Sequence, residues 1–156
     1  MERPMRRLAL TMLLVTAAGL VARADHAAGH SPVTHLGADS VAAAFAKGQP
    51  LLEAENYKVH ASRREGPGQA ELHEADTDII HVLTGTATLV TGGTVVGGRR
   101  IAPEEVRGSS ISGGEVRALA PGEVLVVPAG TPHWFRDVPA PMTYYVVKVR
   151  KAGGAR

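Results

Sequence analysis

Cysteine is absent from all 156 residues. That excludes disulfides and a lipid anchor on cysteine, so stability must come from burial. Aromatic residues are few, with one Trp, three Tyr and two Phe. A recognisable nucleophile–base pair and a phosphate-cradling glycine loop are both missing. The "HAAGH" at 26–30 lacks the Glu after its first His that a metalloprotease helix requires. No internal repeat is convincing. The one long apolar run, "LALTMLLVTAAGLV", is too short for a comfortable membrane span.

That run follows the basic "MERPMRR" and precedes "ARA". A basic start, a short apolar middle and an A-x-A end read as a signal peptide over 1–24, cleaved before Asp25. The expected location is secreted or periplasmic. Cleavage removes Arg3, Arg6, Arg7 and Arg23 against Glu2, leaving 13 basic and 14 acidic residues. The pI of about 9.2 therefore belongs mostly to the leader. Without a basic surplus a nucleic-acid partner is not expected, nor is stable membrane association after cleavage. The remaining 132 residues suffice for one core.

Residues 25–38 are small and polar and read as a flexible arm. "DSVAAAFAKG" reads as a two-turn helix, with Asp39 or Ser40 as its cap and Gly48 as its close. The segment 39–150 is otherwise a succession of short strands bounded by Gly or Pro, among them "NYKVHASRR", "DIIHVLTG", "TATLVTGG", "EVRALAPG", "EVLVVPAG" and "MTYYVVKV". The pattern predicts an all-β sandwich or barrel with a short N-terminal helix. The continuous apolar runs "DIIHVL" and "VLVV" predict strands covered on both faces, hence a partner chain, most simply in a homodimer. Residues 92–114, with three Gly-Gly pairs, read as a long loop that folds over the site or flexes freely. Its Arg107, Ser109 and Ser110 are candidate substrate contacts. Residues 151–156 form a tail.

One spacing carries chemistry. Gly122, Pro128, Gly130 and His133 stand at offsets that resemble the second motif of the cupin superfamily, G-x5-P-x-G-x2-H-x3-N, with Asp137 in place of the final Asn. Upstream, "EGPGQAELHEADTDIIHVLTG" resembles the first motif, G-x5-H-x-H-x3,4-E-x6-G, in degenerate form. Gly85 is its last glycine, Asp78 replaces the Glu, His73 is the second histidine, Glu71 stands at the first, and the opening glycine is displaced to Gly66. The resemblance covers 51–150. It implies a double-stranded β-helix, or jelly-roll barrel, and a divalent transition metal in its mouth. It also implies oxygenation, isomerisation or elimination on a small molecule. Its ligands would be His73, Asp78 and His133, with Glu71 as fourth ligand or catalytic base.

The residues support the metal independently. Glu71 and His73, two apart in a strand, share a face. Asp78 returns on the next strand, and His133 arrives from a turn stiffened by proline. Such an N/O set suits Mn, Fe, Ni, Cu or Zn. One alternative is a pocket without metal, in which Glu71 and Asp78 pair with Arg63, Arg64 or backbone donors and His133 is a satisfied buried histidine; the alternative function is a non-catalytic small-ligand or metal-binding module. Arg63, on the face of Tyr57 and Val59, is a candidate to hold an anionic substrate group, and Phe135 a candidate for the pocket wall. His60 and His81 read as outward-facing, and Trp134 as a subunit-interface residue. Tyr145, Val147 and Val149 read as core, and Tyr144, Val146 and Lys148 as the outer face.

Overall fold

The computed structural model describes residues 32–151. The expected leader 1–24, most of the arm and all of the tail but Lys151 lie outside the described residues. Helix α1, Ala38–Lys47, begins one residue before the expected cap. Gly37 holds the N-cap position without a side-chain bond, and Asp39 sits in the first turn, where its charge complements the helix dipole. Gly48 closes α1 in the left-handed conformation at φ 65°. Among the described residues, no helix is long and apolar enough to cross a membrane.

Among the described residues, thirteen strands follow. They are β1 Pro50–Glu53, β2 Tyr57–Arg64, β3 Ala70–His73, β4 Asp76–Thr84, β5 Ala87–Thr91, β6 Thr94–Val96 and β7 Arg99–Ala102. Then come β8 Glu105–Gly108, β9 Ser110–Ser112, β10 Glu115–Leu119, β11 Val124–Val127, β12 His133–Asp137 and β13 Met142–Arg150. One sheet has the order β1-β2-β13-β4-β11, the other β10-β5-β12-β3-β8-β7, and β6 pairs with β9 in a small ribbon. The core lies between the two large sheets. Ile80, Val82, Val127, Met142, Tyr144 and Val146 come from the first, and Ala87, Leu89, Leu119 and Phe135 from the second.

A second cluster of Ala70, Val90 and Ile111 buries the far face of the six-stranded sheet, with Val95 and Trp134 packed against it. The "ATLVT" of β5 is thus apolar on both faces, because Leu89 enters one cluster and Val90 the other. Trp134 packs inside its own chain, donating from Nε1 to the Gly68 carbonyl at 2.8 Å. Part of the ring is thus covered within the chain. The segment 92–114 is likewise not a loop. It holds β6 to β9, and β8 extends the six-stranded sheet by pairing with β3. Its glycines at 92, 93, 97, 113 and 114 have positive φ and serve as turn residues between short strands.

The facing of β2 and β13 is the reverse of the expected one. Tyr144 and Val146 are core, while Tyr145 points outward and meets Phe45 of α1 edge-on at 4.8 Å. His60, Ser62 and Arg64 face inward with Tyr144 and Lys148. The physical reason is that α1 packs over β2, so apolar residues line both faces of this pair and alternation does not distinguish them. Arg63 consequently points away, exposed and paired with Glu65 at 2.5 Å. On β11, Val124 and Val126 are 61% and 56% exposed. His81, beside them on β4, is exposed as expected.

Candidate metal centre

Strand register assembles the site. His133 of β12 stands directly opposite Glu71 of β3, and Glu71 opposite Arg107 of β8. His73, two residues beyond Glu71, shares its face and stands opposite Glu105. The Pro-Gly turn before His133 is pinned in place: Gly130 N–H donates to the His73 carbonyl at 2.7 Å, and Gly92 N–H to the Pro132 carbonyl at 2.8 Å. The turn that delivers one histidine is therefore tied to the backbone of the other. Gly85, closing the β4–β5 turn at φ 76°, packs so closely that a Cβ there would lie 2.7 Å from the Pro141 carbonyl oxygen.

Glu71, His73 and His133 bring three donor atoms within 4.8 Å of one another. His73 Nε2 lies 3.5 Å from Glu71 Oε2 and 3.5 Å from Asp78 Oδ2, and His133 Nε2 lies 3.8 Å and 3.7 Å from the same oxygens. His73 and His133 are 6% and 3% exposed, and their rings sit 5.2 Å apart. His73 Nε2 is buried with no hydrogen-bond partner, an arrangement that costs free energy unless something binds there. Each histidine aims Nδ1 at an oxygen, His73 at Glu105 Oε2 (3.3 Å) and His133 at the Thr131 carbonyl (3.4 Å). That pattern directs both Nε2 lone pairs into the site. Burial pushes the His133 imidazole below its ordinary value against the opposing pull of Glu71 and Asp78, which favours its neutral, metal-binding form. For Glu71, burial pulls upward. His73, Arg107, His133 and Arg64 outweigh it and hold the carboxyl well below the usual carboxylate range.

Cations surround these donors. Glu71 Oε1 is approached by Arg107 Nη1 at 2.5 Å and by Arg64 Nη2 at 3.1 Å. Asp78, buried and expected as a ligand, has both oxygens bonded to Lys148 Nζ at 2.7 and 2.8 Å, because Lys148 stands opposite it in the ladder. This expected ligand is thus already paired with a cation. A cavity of about 210 Å³ opens beside the donors, lined among others by His60, Arg64, Arg107, Phe135, Tyr144 and Lys148. Phe135 stands in the wall as expected. His60, expected outside, is half-buried and lines it too. Arg64 takes the position foreseen for Arg63: its guanidinium lies 4.3 Å over the Phe135 ring and its Nε donates to Tyr144 Oη at 2.9 Å. Asp137, in place of the motif's Asn, is exposed and accepts a bond from Arg136 Nε at 3.1 Å.

Two antiparallel sheets enclose a histidine-carboxylate mouth reached by a Pro-Gly turn. The fold is that of the cupins. No protein-family model matches the chain, and no curated protein sequence matches it significantly. Solved structures do. The BH2720 protein of Bacillus halodurans matches with a TM-score of 0.55 at 15% identity, over 80% of this chain and 87% of that one. Hydroquinone 1,2-dioxygenase from Sphingomonas sp. TTNP3, solved with 4-hydroxybenzoate bound, matches with a TM-score of 0.51 at 14% identity, over 68% and 66%. A Klebsiella pneumoniae protein with a double-stranded β-helix domain gives 0.46 at 16%, over 69% and 78%. At such identities the likeness concerns the cupin fold alone. What suits this site to an ion is its own donor set: two imidazoles, one ionised carboxylate and an orphaned buried nitrogen.

Proposed function

We propose that the protein is an exported metalloprotein that acts on a small molecule in the barrel mouth. Glu71, His73 and His133 hold one divalent transition ion, of the Mn, Fe, Ni, Cu or Zn group. The observation that carries this reading is the convergence of the three donors around the unpartnered His73 Nε2. Two histidines and one carboxylate leave open positions for a substrate. A bound ion would supply Lewis acidity or an oxygen site, in keeping with oxygenation, isomerisation or elimination. The chain's own residues do the rest. Phe135 and Tyr144, stacked 5.3 Å apart, form one wall and limit water. Glu71 keeps its proton off at neutral pH, and so low a basicity favours a ligand over a general base. Asp78 stays with Lys148. The bound 4-hydroxybenzoate of the hydroquinone dioxygenase is in keeping with a small organic ligand. Export rests on the sequence of residues 1–24. Exposed Val124 and Val126 on β11 support a homodimer.

A second reading has its own observation. Every carboxylate in the mouth already has a cationic partner, Glu71 with two arginines and Asp78 with Lys148. A metal-free, non-catalytic binding module would be built this way. Elemental analysis separates the two. Protein purified without chelator and offered each of the five metals should hold about one equivalent, and His73→Ala, His133→Ala and Glu71→Gln should each lose metal while circular dichroism stays unchanged. Wild-type protein holding well under one equivalent of every metal refutes the metal reading and leaves the binding module.

A further inference from the structure

We infer that the cavity binds a small organic anion, a carboxylate about the size of one substituted ring, and that Arg64 is the residue that recognises it. This deepens the proposed function by naming a ligand class for the same cavity, but it rests on the cavity and its charges rather than on the ion.

The charge inventory is the first ground. Three cations line the cavity, Arg64, Arg107 and Lys148, against two carboxylates, Glu71 and Asp78. Lys148 has Asp78 to itself. Arg107 pairs with Glu105 as well as with Glu71. Arg64 alone relies on a single carboxylate that a second cation also holds. It shares Glu71 Oε1 with Arg107, and its other partners, the Tyr144 hydroxyl and the Phe135 ring, are neutral. Glu105 brings the count to three charges of each sign, but Arg64, whose carboxylate is shared, is the least compensated of the three cations, and an incoming anion gives it a further partner.

Donor geometry is the second ground. Of five guanidinium N–H groups, Nε and one on Nη2 are engaged with residues described here, so further donors remain for a ligand. The planar fork matches a carboxylate in two-point fashion, and the aromatic ring beneath it keeps the fork in one orientation. Lys148 enters from the far end of the β2–β13 pair, six residues along β13 from Met142, which stands opposite Arg64. A ligand between them meets a cation at either end. Size is the third ground. A cavity near 150 Å³ accommodates benzene, and 210 Å³ adds room for one or two substituents.

The test titrates two probes of one shape, benzoate and benzamide, into the protein by calorimetry, in chelator-treated and zinc-supplemented samples. We expect benzoate to bind chelator-treated protein at least about tenfold more tightly than benzamide, since a charge-assisted bond replaces a neutral one. Arg64→Gln should erase that preference and Arg64→Lys retain part of it, with circular dichroism confirming both folds. Equal binding of the two probes, no benzoate binding at millimolar concentration, or an undiminished preference in Arg64→Gln would each overturn the inference. The wild-type comparison decides even if a variant fails to fold. Zinc uptake without anion preference would sink this inference alone. Benzoate preference in protein that takes up none of the five metals would sink the metal reading alone.

Discussion

Replacing Lys148 with Met tests the electrostatic frame of the mouth. The substitution keeps most of the volume and removes the one cation bonded to both oxygens of Asp78, which is 4% exposed. Stranding a buried charge typically costs about 3–5 kcal/mol. Lys148 retains some exposure at 18% and the cavity opens beside the pair, so about 2–4 kcal/mol is the better expectation here. For a domain of this size that is roughly a 10 °C loss in Tm. The variant should also gain something. Asp78 Oδ2 already lies 3.5 and 3.7 Å from the two Nε2 atoms, so without Lys148 it becomes a fourth donor. Metal should then raise the Tm of Lys148→Met more than that of wild type; at a hundredfold excess over its own Kd the ion stabilises the variant by about 2.7 kcal/mol in total. Calorimetric melting in chelator and in each metal measures both effects. Asp78→Asn in the Lys148→Met background should restore most of the lost stability and abolish the extra metal response, closing a double-mutant cycle. If Lys148→Met melts with wild type in chelator, or gains no more than wild type from metal, the reasoning is wrong.

Burial raises the Tyr144 phenol above its ordinary value, with Arg64 opposing. The stability this contributes is whole below about pH 10 and is lost as pH rises through the folded value. The stability gap between wild type and Tyr144→Phe should therefore narrow above about pH 10, and a constant gap to about pH 11.5 would contradict it. Gly85 and Gly130 both have positive φ, but a Cβ meets backbone only at Gly85. Gly130→Ala should cost about 1–2 kcal/mol and Gly85→Ala about 1–3 kcal/mol more; denaturant melts giving the reverse order would refute the packing argument. Intact-mass measurement on exported protein should give a chain starting at or near Asp25, and retention of Met1 would remove the case for export.

The parts of the site legible in sequence were those fixed by backbone constraint. The spacing from Gly122 to His133 encodes a turn that proline and glycine dictate, and the structure pins that turn to His73. The two-residue step from Glu71 to His73 encodes a shared face. Where both faces of a strand are covered, the code failed. Val59 and Ala61 are apolar because α1 and its neighbours cover them, and Tyr57 stands exposed on the same face, so Arg63 looked inward, opposite to its actual place. Strands of three residues such as β6 and β9 are too short to show a period, and their turn glycines made the segment read as a loop. Lys148 gave no signal of its own, because its meaning depends on standing opposite Asp78.

The mouth divides its labour between two frames. Glu71 and His73 on β3 and His133 on β12 belong to the six-stranded sheet, whereas Arg64 on β2 and Lys148 on β13 belong to the five-stranded one. Substitutions along β2 and β13 can therefore redraw what is admitted while the donor trio keeps its backbone register. Over generations, reactivity and selectivity in such a scaffold can drift at separate rates, and a new substrate can be acquired without rebuilding the chemistry.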